Sequence, residues 1–212
     1  LVTKGYAEEG ADGFRLAERL RNTGWVGGDV RRLVAIARPV MEATAATTGE
    51  SVFLGVLTAA QDVRYLLKAV SANPLRYDGA LDQLRPAYCT SIGHVLLADL
   101  AEPDLDDYLA RTELLTWTNA TPTDPDTIRA MVRATAARGY AHTVDSHVAG
   151  CAGVAAAIRD ASGRAVAGIA VIGPTWRFMP SREAHARSVQ AAAAEIAAAL
   201  SMGRPQSERQ AS

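Results

Sequence analysis

Cysteine is scarce. Cys89 and Cys151 are the two in 212 residues, and their separation matches no disulfide framework, zinc cluster or redox pair. No secretory signal is visible, so both read as reduced thiols of a cytoplasmic chain. No apolar run approaches the length of a membrane span, which predicts no membrane partner. Charge of one sign is missing too: 22 Lys and Arg face 23 Asp and Glu, for a net charge of −1. That argues against a nucleic-acid surface within this chain, because phosphate binding needs clustered cations. No internal repeat is visible. The first residue is Leu1 rather than Met, so the sequence reads as a fragment whose natural start lies upstream. What remains is an ordinary globular composition, 49% hydrophobic and 21% charged, long enough for one large domain with a sizeable core.

Along the chain, residues 1–14 read as the end of a small hairpin. Residues 15–28 read as a linker helix broken by Gly24, Gly27 and Gly28. Asp29 is a good cap for a helix whose face carries Val30, Leu33, Val34, Ala37, Val40 and Met41, with Pro39 inside and Gly49 at its end. Residues 51–57 and 63–70 are expected as a strand hairpin, followed by a loop with a short strand. Pro103 is expected to end the helix that starts at Thr90, and Trp117 to anchor a loop to the core. Asp124-Pro125 starts a helix that Gly139 closes. Residues 140–144, 154–158 and 166–172 read as strands, with residues 148–153 small and flexible. Ser181 is expected to cap a last helix with Val189, Ile196 and Leu200 inward. Residues 203–212 are a polar tail expected to be disordered. The pattern is α+β, helices packed on an antiparallel sheet.

The most informative stretch is Tyr88-Cys89-Thr90-Ser91-Ile92-Gly93-His94-Val95-Leu96-Leu97-Ala98. Thr90 and Ser91 are capping residues, and Gly93 permits close approach of a backbone or ligand. A helix start exposes unpaired N–H groups and suits a carboxylate or phosphate. The plain alternative is a capped core helix.

These residues resemble the Cys-Thr-(Ala/Ser)-x-Gly-x-x-Leu-Leu-Ala signature of IclR-type transcriptional regulators. Arg38-Pro39-Val40-Met41 with Thr48-Gly49-Glu50-Ser51-Val52, then Arg138-Gly139-Tyr140, then the strands around Asp160-Ala161-Ser162-Gly163 and Gly173-Pro174, resemble further family pieces in the same order. The resemblance implies a GAF- or profilin-like domain with a curved antiparallel sheet, which binds a small effector, over residues 29–202. It implies that residues 1–14 are the tail of a winged helix-turn-helix, whose recognition helix would contact DNA upstream of this chain. Residues 15–28 would be the linker helix of a homodimer or homotetramer. No cofactor and no catalysis are implied.

Carried onto this sequence, the family's effector site falls on Thr90, Ser91, Ile92 and Gly93. The usual acidic position falls near Thr143 to Asp145. The cysteine position falls on Gly153, with Cys151 two residues away and so on the same strand face. The family's serines are replaced by Ala170 and Ile172, which implies an anionic effector with an apolar or aromatic body. Tyr77 lies near another pocket position. Arg85 reads either as an exposed arginine beside Pro86 or as a bidentate partner for an effector carboxylate. His142, Asp145 and His147 are metal-capable types, with Asp145 and His147 expected on one strand face. A thiol enzyme would need a base near Cys89 or Cys151, and His94 is poorly spaced for Cys89. The readings carried forward are an effector-sensing, oligomerising domain of a DNA-binding regulator, a stand-alone GAF-like thiol enzyme, and another ligand-binding signalling module.

Overall fold

In a computed structural model, the described residues are 7–10, 13–16, 27–81 and 83–202. A short hairpin comes first, β1 (Ala7–Gly10) with β2 (Gly13–Leu16). Arg15 and Leu16 were expected to open the linker helix; they are the end of β2. The rest of that expected helix, 17–26, and the expected tail, 203–212, lie outside the described residues. Helix α1 (Gly27–Thr48) begins at the glycines expected to break it, and it contains Asp29 and Pro39. The opening turn carries no helical N–H bonds of its own, so glycine costs little there. Gly49 follows it with φ +71°, its N–H bonded to Ala45 O at 2.9 Å.

The main sheet has six antiparallel strands in the order β5-β4-β3-β8-β7-β6. Two meanders build it: β3 (Ser51–Leu57), β4 (Val63–Ala69) and β5 (Leu84–Arg85), then β6 (Ala141–Val144), β7 (Cys151–Arg159) and β8 (Ala165–Pro174). They join where β8 pairs with β3, Phe53 opposite Ala170. Between them run a 3-10 turn (Ala87–Cys89) and helices α2 (Ser91–Leu97), α3 (Glu102–Arg111) and α4 (Pro125–Arg138). Pro103 lies at the start of α3 rather than ending α2; proline fits the first turn, where its missing N–H is not needed. After β8 come the short α5 (Thr175–Phe178), a 3-10 turn and α6 (Arg182–Met202).

Strand alternation gives the sheet two buried faces. Against one, α1 and α6 pack through Leu33, Ala37, Met41, Val189, Ala193 and Ile196 onto Val52, Leu54, Val154, Ile158, Ile169 and Val171. Against the other, α2 and its neighbours pack onto Phe53, Ala141, Ala155 and Ala170. The register sets Ala141, Ala155, Ala170 and Phe53 in one row across four strands, so small side chains let α2 lie close. Residues expected to be loose, 151–153, are instead the first residues of β7. A bulge in β4 sets Leu54 opposite Leu67 but Gly55 opposite Tyr65. Tyr65 thereby joins the α2 face while Leu67 stays on the other.

Candidate functional site

Three glycines and one row of alanines place the start of α2. A Cβ on Gly93 would lie 2.1 Å from Ala87 O, so helix and preceding turn touch only because the residue is glycine. A Cβ on Gly168 would lie 2.9 Å from Ile92 Cγ2, and one on Gly55 3.3 Å from the same atom. Ile92 therefore seats the helix on the sheet. Thr90 caps it: its Oγ1 accepts from Gly93 N at 3.3 Å and donates to Pro86 O at 3.0 Å. His94 N donates to Thr90 O at 2.9 Å. The amides of Ser91 and Ile92 have no acceptor among the described residues.

Beside Thr90 and Ser91 lies a cavity of about 40 Å³. Tyr65, Tyr77, Cys89, Cys151, Gly153 and Ile172 line it, with Thr143, Ser146, His147 and Val148 from β6 and the turn after it. The floor is open because residue 153 is glycine: a Cβ there would meet Ile172 Cγ1 at 3.2 Å and Ser91 Oγ at 3.3 Å. Ser91 Oγ and Thr143 Oγ1 have no hydrogen-bond partner among the described residues, and neither is sealed from solvent. The turn over the cavity is tightly hung. Asp145, at φ +53°, donates N–H to Cys151 O at 2.8 Å, and its carboxylate accepts from Gly150 N at 2.9 Å and Thr175 Oγ1 at 2.8 Å. Thr118 and Thr121 hydroxyls donate to the carbonyls of Asp145 and Ser146 at 2.5 and 2.6 Å.

Of the residues expected at the site, Tyr77, Thr90, Ser91, Cys151, Gly153 and Ile172 border one cavity. The others do not. Ile92 and Gly93 are buried in the seat of the helix. Ala170 is buried one row deeper, opposite Phe53 and Ala155. Asp145 leaves the strand at a left-handed residue and spends its carboxylate on the turn, so it shares no strand face with His147. Arg85 is neither exposed nor at the cavity. It is 3% exposed, stacked 4.0 Å from the Tyr65 ring centroid, with Nη1 and Nη2 donating to Gln83 O and Ala80 O at 2.9 and 2.8 Å. Trp117 is about half exposed and ties its loop to the core by one hydrogen bond, its indole N–H donating to the Oη of buried Tyr88 at 2.9 Å. The hydroxyl lining is richer than the loss of two serines implied. Tyr65 was hidden from periodicity by the bulge, and Ser146 and His147 by the turn's irregular backbone.

The thiols are not poised for chemistry. Burial pushes Cys89 up to about 12, and burial with the Asp145 carboxylate raises Cys151. His94, 1% exposed, uses Nε2 to bond Tyr88 O at 2.7 Å, so it serves the backbone and not a thiol. Burial holds its pKa below the usual value, which keeps it neutral. Among the described residues, no three His, Cys, Asp or Glu converge as a metal site requires, and no helix is long and apolar enough to cross a membrane.

Comparison with known proteins bears on this arrangement. Residues 29–198 match the model of the bacterial transcriptional regulator IclR C-terminal family. The chain is 32% identical over 178 residues to the HTH-type transcriptional regulator BhcR of Paracoccus denitrificans, covering 84% of this chain and 63% of that protein. It is 27% identical over 172 residues to the Pca regulon regulatory protein of Pseudomonas putida, covering 81% and 59%. The chain thus spans about three-fifths of the length of these curated relatives. Among solved structures, an IclR homologue of Microbacterium hydrocarbonoxydans complexed with 4-hydroxybenzoate superposes with a TM-score of 0.74 at 25% identity, over 94% of this chain and 81% of that one.

Proposed function

This chain belongs to the IclR family of bacterial transcriptional regulators, of which it carries the GAF-like C-terminal domain, and from that premise we propose that it senses a small carboxylate in the cavity beside Thr90 and Ser91. The single observation that carries the reading is the convergence there of the uncommitted Ser91 amide with the unpaired hydroxyls of Ser91 and Thr143. Such an array suits an acceptor-rich anion. A relative bound to 4-hydroxybenzoate supports the class. As it stands the cavity admits a few heavy atoms, so a ring-sized body requires its lining to move apart. The apolar share of the lining, Ile172, Val148 and the tyrosine rings, fits a flat body behind the carboxylate.

In the whole regulator, DNA is held by a winged helix preceding this domain. Effector binding shifts a dimer or tetramer between arrangements of the DNA heads, which requires that it bind one arrangement better. The protein works in the cytoplasm and catalyses nothing: the raised thiols disfavour the thiol-enzyme alternative.

The test is thermal unfolding with a panel of carboxylates: acetate, succinate, benzoate and 4-hydroxybenzoate. A ligand at a hundredfold its Kd stabilises the folded state by about 2.7 kcal/mol, a shift of several degrees. Gly153→Leu places a side chain between Ser91 and Ile172, and the shift is expected to vanish in that variant. A panel without effect on the unsubstituted protein, or an equal shift in Gly153→Leu, sinks the reading.

A further inference from the structure

Arg85 is a buried cation without a carboxylate. Its guanidinium is held by two backbone carbonyls and the face of Tyr65, and no acidic side chain forms an ion pair with it among the described residues. Tyr65, on which it stacks, is a cavity wall. Leaving such a charge uncompensated is costly, so the neighbouring cavity favours an anion.

His147 stands on the same cavity. Its ring lies 4.9 Å from that of Trp117. Neither ring nitrogen has a hydrogen-bond partner among the described residues, and neither is sealed from solvent. Burial and the Arg85 charge hold the imidazole below its ordinary pKa, so it is neutral while the cavity is empty. The other titratable groups facing it are Tyr65, Tyr77, Cys89 and Cys151, with Asp145 on its own turn. Burial raises Tyr65 and both thiols and keeps them uncharged. The Asp145 carboxylate is occupied by Gly150 N and Thr175 Oγ1.

We propose that His147 recognises the effector's anionic group as an imidazolium, so that binding takes up one proton from solvent and selects carboxylates over their neutral isosteres. This rests on the effector-site reading above. No covalent bond changes: the imidazole gains the proton, the carboxylate stays ionised, and the buffer supplies the balance. The entering charge offsets both the desolvation of the ring and its repulsion by Arg85. Affinity then rises as pH falls toward the pKa of the empty site, by up to about tenfold per pH unit.

Calorimetric titration of the whole domain in two buffers of different ionisation heat tests this, with benzoate and 4-hydroxybenzoate as probes and benzamide as the neutral comparator. The expected result is uptake of close to one proton per carboxylate bound near neutral pH, with Kd falling at least about threefold from about pH 8 to about pH 7. Benzamide affinity is expected to stay flat. His147→Gln keeps a polar side chain but cannot titrate; it is expected to bind carboxylates more weakly, with no proton uptake and no pH slope. A pH-invariant Kd for the unsubstituted protein, or an unchanged slope in His147→Gln, overturns the inference while leaving the sensing site intact. The absence of binding by either carboxylate overturns both.

Discussion

At position 93 the room for a side chain is nil: a Cβ would lie 2.1 Å from Ala87 O and 2.4 Å from its Cα. Backbone cannot give way as a flexible side chain can. Gly93→Ala is therefore expected to destabilise the domain by about 3 kcal/mol or more, the upper part of the overpacking range, measurable by urea unfolding. A loss under about 1 kcal/mol would mean that turn and helix separate freely. The same geometry explains why two expected ligand residues are not at the cavity. Ile92 and Gly93 are consumed in positioning the helix; Thr90 and Ser91, one turn edge away, face the opening. Residue types around the signature were readable in the sequence, but which of four consecutive residues faces a ligand depends on the packing beneath them. Arg85 makes the point again. Its type permitted an exposed role or a ligand contact, and stacking on Tyr65 gave it a third.

At the scale of elements, the ends of β3 and β8 are clamped by one ion pair. Arg177 Nε donates to Glu50 Oε1 at 2.6 Å and Nη2 to Glu50 Oε2 at 2.8 Å, while Nη2 also reaches Leu75 O at 3.0 Å. The Glu50 side chain is 3% exposed, and a Cβ on Gly173 would fall 2.3 Å from its Oε2. Arg177→Met leaves that carboxylate buried and unpaired, and about 3 kcal/mol of stability is expected to go with it. Chemical denaturation at neutral pH checks this; a cost below about 1 kcal/mol would show that solvent reaches Glu50. Most elements were legible from periodicity and caps. Asp124 caps α4 by accepting from Thr127 N at 2.8 Å, and Gly139 ends it at φ +75°. Pro103 was misread because proline both ends helices and begins them; local sequence does not say which. The start of β7 at Cys151 was missed because Gly and Ala have weak strand preference, and only pairing with β6 and β8 makes those residues a strand.

For the molecule as a whole, all four histidines are held below their ordinary pKa of 6.5, each first by burial. Arg138 and Arg182 add to this at His142, and Glu50 partly opposes it at His185. The unfolded chain therefore binds more protons than the folded one once pH drops below about 6.5. Histidine stabilisation is present in full above that value and is lost as pH falls through the folded-state values. The depressed carboxylates of Asp78, Glu102, Asp124 and Asp160 add losses only below their unfolded values of 3.8 to 4.5, and Asp62, raised by burial, acts in the opposite sense. The melting temperature is expected to fall steadily between about pH 6.5 and about pH 5, ahead of carboxylate protonation. A flat profile over that interval would show that the histidines are as solvated folded as unfolded.

The sequence by itself determined the class of the molecule: an α+β chain without a charge excess or an apolar run long enough for a membrane span, carrying a capped, glycine-bearing helix start in a family signature. Those features are local, set by caps, turns and alternation within a few residues, and so are written in the order of residues. The tertiary structure alone decided which side chains share the hollow beside that helix. A bulge turned Tyr65 inward, a left-handed Asp145 brought His147 to the opening, and cross-strand register set Gly153 against Ile172. Each depends on segments far apart in the chain meeting at one register, and a shift of one residue in any strand would present a different set.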